Sequence, residues 1–145
     1  MSFGGPLLLA RLSLLLGIRP GMNVSVLNAP AGFMEALLPL PEGAALVDTS
    51  KTGLDVQILF TSKKTELIEK LSLLTRGMAV RGVLWICFPA AGEGPQLPTE
   101  DFVRLAALEM GLEDTKKLLL DPAWIGLKLQ WRPRAPRAEK PQAQA

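Results

Sequence analysis

Two segments, Leu-Asp-Val-Gln-Ile-Leu-Phe at 54–60 and Gly-Val-Leu-Trp-Ile-Cys-Phe at 82–88, are nearly unbroken apolar runs of strand length. Runs that do not alternate with polar residues belong to strands covered on both faces, which is the habit of parallel sheets. Between them, Leu67, Ile68, Leu71, Leu74 and Met78 recur at helical spacing, with Lys63, Lys64, Glu66, Glu69 and Lys70 on the other side. This predicts a helix over 63–76 whose apolar stripe packs on the sheet, with Glu66 and Lys70 in the favourable order for an ion pair. Strand, helix and parallel strand form a crossover unit, and a chain built on such units folds as a layered α/β domain.

The remaining segments extend that pattern. Residues 22–27 read as a first strand after the Pro20-Gly21 turn, and a helix over 32–38 ends at Pro39 and Pro41. Residues 44–47 read as a short second strand ending at Asp48. Thr99 caps a helix that carries Glu100 and Asp101 in its first turn and stops at Gly111. Residues 112–120 and 125–131, joined by Asp121-Pro-Ala-Trp124, read as an antiparallel hairpin. The expected architecture is a three-layer α/β domain over 1–131. Its six-stranded, mostly parallel sheet has order 2-1-3-4-6-5, with helices on both faces.

The ends differ from the body. Leucines at 7, 8, 9, 12, 14, 15 and 16 sit between Pro6 and Gly17, which predicts a helix over about 5–16, apolar nearly all round. The run is half the length a membrane span needs and is interrupted by Arg11, so it reads as a core helix or a contact between copies, in a cytoplasmic protein. Residues 132–145 are rich in proline, alanine and arginine and read as a flexible tail. The chain has 16 basic and 14 acidic residues among 145. Arg132, Arg134, Arg137 and Lys140 against Glu139 put all the basic excess in the tail. A nucleic-acid partner is therefore expected only through the tail. Leucine-rich, proline-rich and poor in asparagine, the composition is that of a heat-adapted protein.

Histidine is absent and cysteine occurs once, which removes the commonest general base and metal ligand and predicts no metal site and no histidine-based catalysis. Cys87, inside an apolar strand, reads as a small hydrophobe. Asp48, Asp55 and Glu35 are the carboxylates considered for acid–base work, Asp55 reading as a turn residue at a strand entrance. Lys63 and Lys64 open a helix against its dipole, as exposed lysines or beside an anion. Trp85 reads as core; Trp124 reads equally as packing over the sheet end or as an interface residue.

The point where α/β folds bind nucleotides is the loop after the first strand. Here it is Asn28, Ala29, Pro30, Ala31, Gly32 and Phe33, with Asp48 twenty residues after Asn28, where a carboxylate meets ribose hydroxyls. In order and lengths the elements resemble a shortened class I S-adenosylmethionine methyltransferase. The glycine motif of that class, an acid followed by glycines at the second, fourth and sixth positions, falls on Asn28, Pro30, Gly32 and Met34, so one glycine of three stands. After the third strand, Thr61-Ser62-Lys63 stands where amino-methyltransferases carry Asn-Pro-Pro-aromatic. The segments Leu16-Gly-Ile-Arg-Pro-Gly-Met22 and Leu27-Asn-Ala-Pro-Ala-Gly-Phe33 resemble, more closely, an uncharacterised bacterial family with a methyltransferase-like fold. That resemblance extends over about 16–131 and implies the fold without an activity.

The expected function is a non-catalytic binding or regulatory module without catalytic residues or a bound cofactor, self-associating or binding a protein partner. The alternative is a small-molecule enzyme that holds S-adenosylmethionine or a nucleotide on Asn28, Ala29, Pro30, Gly32, Phe33 and Asp48.

Overall fold

The computed structural model describes residues 12–133; residues 5–11 of the helix expected over about 5–16, and residues 134–145 of the expected tail, lie outside them. In chain order the elements are α1 (Leu12–Leu15), β1 (Asn23–Leu27), α2 (Phe33–Leu37), β2 (Ala45–Leu46), β3 (Leu54–Phe60), α3 (Lys64–Gly77), β4 (Met78–Pro89), α4 (Glu100–Glu109), β5 (Leu112–Asp121) and β6 (Trp124–Trp131). The six strands form one sheet of order β2-β1-β3-β4-β6-β5. β2, β1, β3 and β4 are parallel, and β6 runs antiparallel to both β4 and β5. The apolar runs of β3 and β4 are those of strands that need cover on both faces.

That cover comes from two clusters. On one face Leu12 and Leu16, with Phe33 and Leu37 of α2, pack on Val24, Val56, Ile58 and Trp85. On the other, Leu67, Leu71 and Leu74 of α3 and Val103, Ala106 and Ala107 of α4 pack on Leu59, Leu84, Ile86, Leu127 and Leu129. Each fully buried large side chain contributes about 1.5–3 kcal/mol before the ordering cost is counted. The described part of the N-terminal leucine run is thus core: Leu12 and Leu16 are buried, while Leu14 is exposed, so the helix is not apolar-packed all round. Trp85 donates its indole N–H to the Leu16 carbonyl at 2.9 Å, tying α1 to the centre of the sheet.

Three details differ from the sequence reading. β4 begins at Met78 rather than residue 82, because Met78 pairs with Leu54 before a bulge that skips 79–82 and resumes pairing at Val83 opposite Val56. Within that bulge Gly82 is required, since a Cβ there would lie 2.8 Å from the Leu54 carbonyl oxygen. Ile68 is exposed rather than in the core, because the stripe of α3 is centred on Leu67, Leu71 and Leu74 and a neighbouring residue is turned about 100° away. Glu66 faces the end of the sheet instead of pairing with Lys70. Thr99 caps α4 as expected, accepting the Phe102 N–H at 3.1 Å. Among the described residues no helix is long and apolar enough to cross a membrane.

Candidate functional site

The carboxyl ends of β1, β3 and β4 form the edge where an α/β sheet presents its loops to a ligand. β1 ends at Leu27, and Asn28 adopts a left-handed conformation with φ 63°, which asparagine tolerates better than most residues. The chain then turns through Pro30, whose carbonyl accepts the Phe33 N–H at 3.1 Å, and reaches Gly32 at φ 88°. Gly32 is therefore needed for its backbone angle. Ala29 is exposed at the loop tip. The helix that follows is only five residues long and has no side-chain cap, so few peptide dipoles align behind this loop. Met34 packs into the α1/α2 core.

Three rings lie across the strand ends. Phe33, buried at the start of α2, meets Phe60, the last residue of β3, with centroids 4.7 Å apart and planes at 68°. Phe60 in turn meets Trp124, the first residue of β6, at 5.1 Å and 89°. Edge-to-face contacts of this kind set the positive rim of one ring on the negative face of the next. Trp124 is thus packed over the sheet end, half-buried.

Beside the rings is a polar cluster. The Thr61 hydroxyl donates to Glu66 Oε1 at 2.5 Å and accepts the Lys63 N–H at 3.2 Å. Asn28 Nδ2 donates to Glu66 Oε2 at 3.1 Å. Glu66 occupies the third position of α3, where a carboxylate is favoured by the helix dipole and where a capping-box acid reaches back. Its partners are held by backbone at the ends of β1 and β3, whereas Lys70 would be an exposed, flexible partner, which explains the departure from the expected pair. Sequence reasoning passed over Thr61 and Glu66 as site residues. The available signal was an acid at the third helical position with a threonine just ahead of the helix, although Lys63, not the threonine, is the cap residue.

The other candidates are dispersed. Asp48 is exposed in a turn beyond β2, where Oδ1 accepts the Ser50 N–H at 2.8 Å; that hydrogen bond, with Lys51 nearby, holds its carboxyl below the usual carboxylate range. Asp55 lies inside β3 at the opposite end of the sheet and accepts the Asn23 N–H at 2.8 Å, so it joins two strands instead of making a turn. Glu35 is exposed on α2. These three carboxylates form no acid–base pair that spans the sheet end. Cys87 is buried, and burial pushes its thiol well above the usual range. Lys64 sits over the Phe102 ring, 5.0 Å from its centroid. Two surface grooves open elsewhere. One of about 920 Å³ lies at the amino end of β4, beside Met78, Val80, Met110 and Trp131. The other, of about 390 Å³, lies between α3 and α4.

The architecture has solved counterparts. A protein of Sulfolobus solfataricus assigned to the type 11 methyltransferases superimposes with a TM-score of 0.62 at 14% identity, over 85% of this chain and 90% of that one. An S-adenosylmethionine-dependent methyltransferase of Aquifex aeolicus gives 0.55 at 13%, over 80% and 85%. The magnesium protoporphyrin IX methyltransferase of Synechocystis, solved with bound S-adenosylhomocysteine, gives 0.55 at 13%, over 78% and 75%. At these identities the likeness defines the fold: a Rossmann-like, methyltransferase-like α/β domain. No family model matches the chain, and no curated protein matches it by sequence.

Proposed function

We propose that this chain is a non-catalytic methyltransferase-like module that acts by binding a protein, either a partner or a second copy of itself. The observation that carries this reading is the state of the first loop. Pro30 offers no N–H where a cofactor-binding loop needs backbone donors, and Phe33, buried against Phe60, fills space beside the strand ends. The short α2 adds little dipole. S-adenosylmethionine, on which the Aquifex counterpart depends and whose demethylated product the Synechocystis counterpart holds, fits these residues poorly, and no chemical step is derived through it. The retained Asn-Ala-Pro segment accords with the family resemblance of residues 16–131.

The polar cluster of Asn28, Thr61 and Glu66 favours a second reading, in which a small molecule, S-adenosylmethionine or a nucleotide, is held at the Asn28–Phe33 loop with Asp48. A denaturant melt with each of S-adenosylmethionine and S-adenosylhomocysteine separates the two. A ligand at a hundred times its dissociation constant stabilises the native state by about 2.7 kcal/mol. The module reading expects no shift; a saturable shift abolished by Asn28→Ala or Asp48→Ala would establish the small-molecule reading instead.

A further inference from the structure

We propose that the rim of the groove at the amino end of β4 is a peripheral docking surface for an anionic lipid bilayer. This goes beyond the binding-module reading and does not depend on it. The groove, of about 920 Å³, has Met78, Val80, Met110, Trp131, Arg132 and Pro133 in its walls. Val80 lies in the bulge between β3 and β4 and is 87% exposed. Its backbone is held on both sides: the Ala79 carbonyl accepts the Trp131 indole N–H at 3.2 Å, and Gly82 packs closely on the Leu54 carbonyl. An apolar side chain is thus presented to water on a firm support, beside a half-buried indole whose N–H is already satisfied.

The charge around this apolar rim is basic. Arg132 lines the groove, Arg81 follows Val80 and Arg76 stands two before Met78. All three are exposed, and among the described residues none takes part in an ion pair. The acids nearest in sequence are Glu109, which is exposed, and Glu113, which lies opposite Gln130 and so faces the side of the sheet away from Trp131. Beyond Pro133 the sequence adds Arg134, Arg137 and Lys140 against Glu139.

These features select the occupant. Residues 134–145 contain no large apolar side chain and would bring arginine to arginine, so the chain's own end is no match for the groove. The leucine-rich segment 1–11 joins at Leu12, which packs on the opposite face of the sheet from Met78, Met110 and Trp131. A second copy meeting groove to groove would also oppose like charges. Single-stranded nucleic acid stacks on open aromatic faces, whereas these walls are methionine, valine and one half-buried indole. A bilayer of acidic phospholipids is anionic over a broad area and apolar just beneath, which matches a basic rim around Val80 and Trp131. The indole suits the headgroup boundary. Apolar insertion or basic charge alone gives marginal attachment, and the two together give stable attachment.

The test is sedimentation of the full chain with vesicles of phosphatidylglycerol mixed with phosphatidylcholine, and with vesicles of phosphatidylcholine alone. Saturable binding to the mixed vesicles, weakening as salt rises, is expected, with none to phosphatidylcholine alone. Val80→Glu, at an exposed position, should weaken binding about tenfold or more with an unchanged circular dichroism melt. Arg81→Gln and Arg132→Gln should each weaken it about fivefold. Leu14→Glu, exposed on the other face of the sheet, should change nothing. No binding to the mixed vesicles at low salt, or binding indifferent to Val80→Glu, overturns the surface. So does tighter binding of a single-stranded oligonucleotide that Val80→Glu weakens equally, or a concentration-dependent dimer that Val80→Glu dissociates. Any of these failures leaves the proposed function standing, whereas saturable binding of S-adenosylmethionine overturns that function and not the lipid surface.

Discussion

Gly126 of β6 stands directly under Trp85: a Cβ on Gly126 would lie 3.2 Å from Trp85 Cε3 and 3.5 Å from Cys87 Sγ. Gly126 is paired with Cys87 and is the diagonal neighbour of Trp85, so its missing side chain leaves room for the indole, which reaches the Leu16 carbonyl. Gly126→Ala should displace the ring and cost about 1–3 kcal/mol, the usual range for overpacking. Urea unfolding measures it; a loss below a few tenths would mean that the ring shifts freely. Loss of the Trp85–Leu16 hydrogen bond should also appear as a changed near-ultraviolet signal.

Asn28 combines a left-handed backbone with a side-chain bond to Glu66. Replacement by glycine removes the bond and keeps the angle accessible, whereas alanine removes the bond and strains the angle. Asn28→Ala should therefore be less stable than Asn28→Gly by about 1 kcal/mol. Equal stabilities in a denaturant melt would show that the loop relaxes out of the left-handed region.

Glu100 is held by the Lys117 ammonium at 2.8 Å and by the Arg104 guanidinium, which also binds Asp114 at 2.9 Å. The lysine first and the arginine second keep the Glu100 carboxyl below the usual carboxylate range. The native state then binds fewer protons than the unfolded chain in the acid range. This contribution is complete above the unfolded carboxylate value and is lost as pH falls through the lowered native one. Glu100→Gln should lower the denaturant midpoint at neutral pH and close the gap with the parent in acid. Salt should shrink the difference, because the pair is partly exposed. A gap that does not vary with pH would rule out the charge as its cause.

Cys87 is fully buried on the α1/α2 face of the sheet, in the cluster that holds Phe60 and Trp85, with its thiol pushed up by burial. A thiol reagent should label it only at the rate of unfolding, so labelling in the native state should be slow and should become immediate in denaturant. Fast native labelling would reveal an opening of the β4 region.

The central strands were legible because burial on both faces leaves a mark on every residue of a strand. Leu54–Phe60 matches its expected bounds without a shift. The Thr99 cap and the stop at Gly111 were also legible, since capping chemistry acts over three or four residues. Periodicity reports the angle of a side chain around its helix and not what covers that angle, which is why Ile68 was read as core. It was equally silent on Met78, whose pairing with Leu54 is made across a bulge.

The candidate site was the least legible part. Asn28, Pro30 and Gly32 could be found from the position of the loop after β1. Phe60 and Thr61 at the end of β3, Glu66 on α3 and Trp124 of β6 come from three separate stretches, and their meeting with the Asn28 loop depends on where β1 and β3 end and β6 begins. Residues 12–133 thus owe their elements and turns to local sequence, since propensity, capping and apolar spacing act over short distances and all point to one fold. The bond from Asn28 to Glu66, the ring row at the strand ends and the bond from Trp85 to Leu16 were decided only by tertiary structure. Each joins residues far apart in the chain, and a contact of that kind leaves no periodic trace in the sequence.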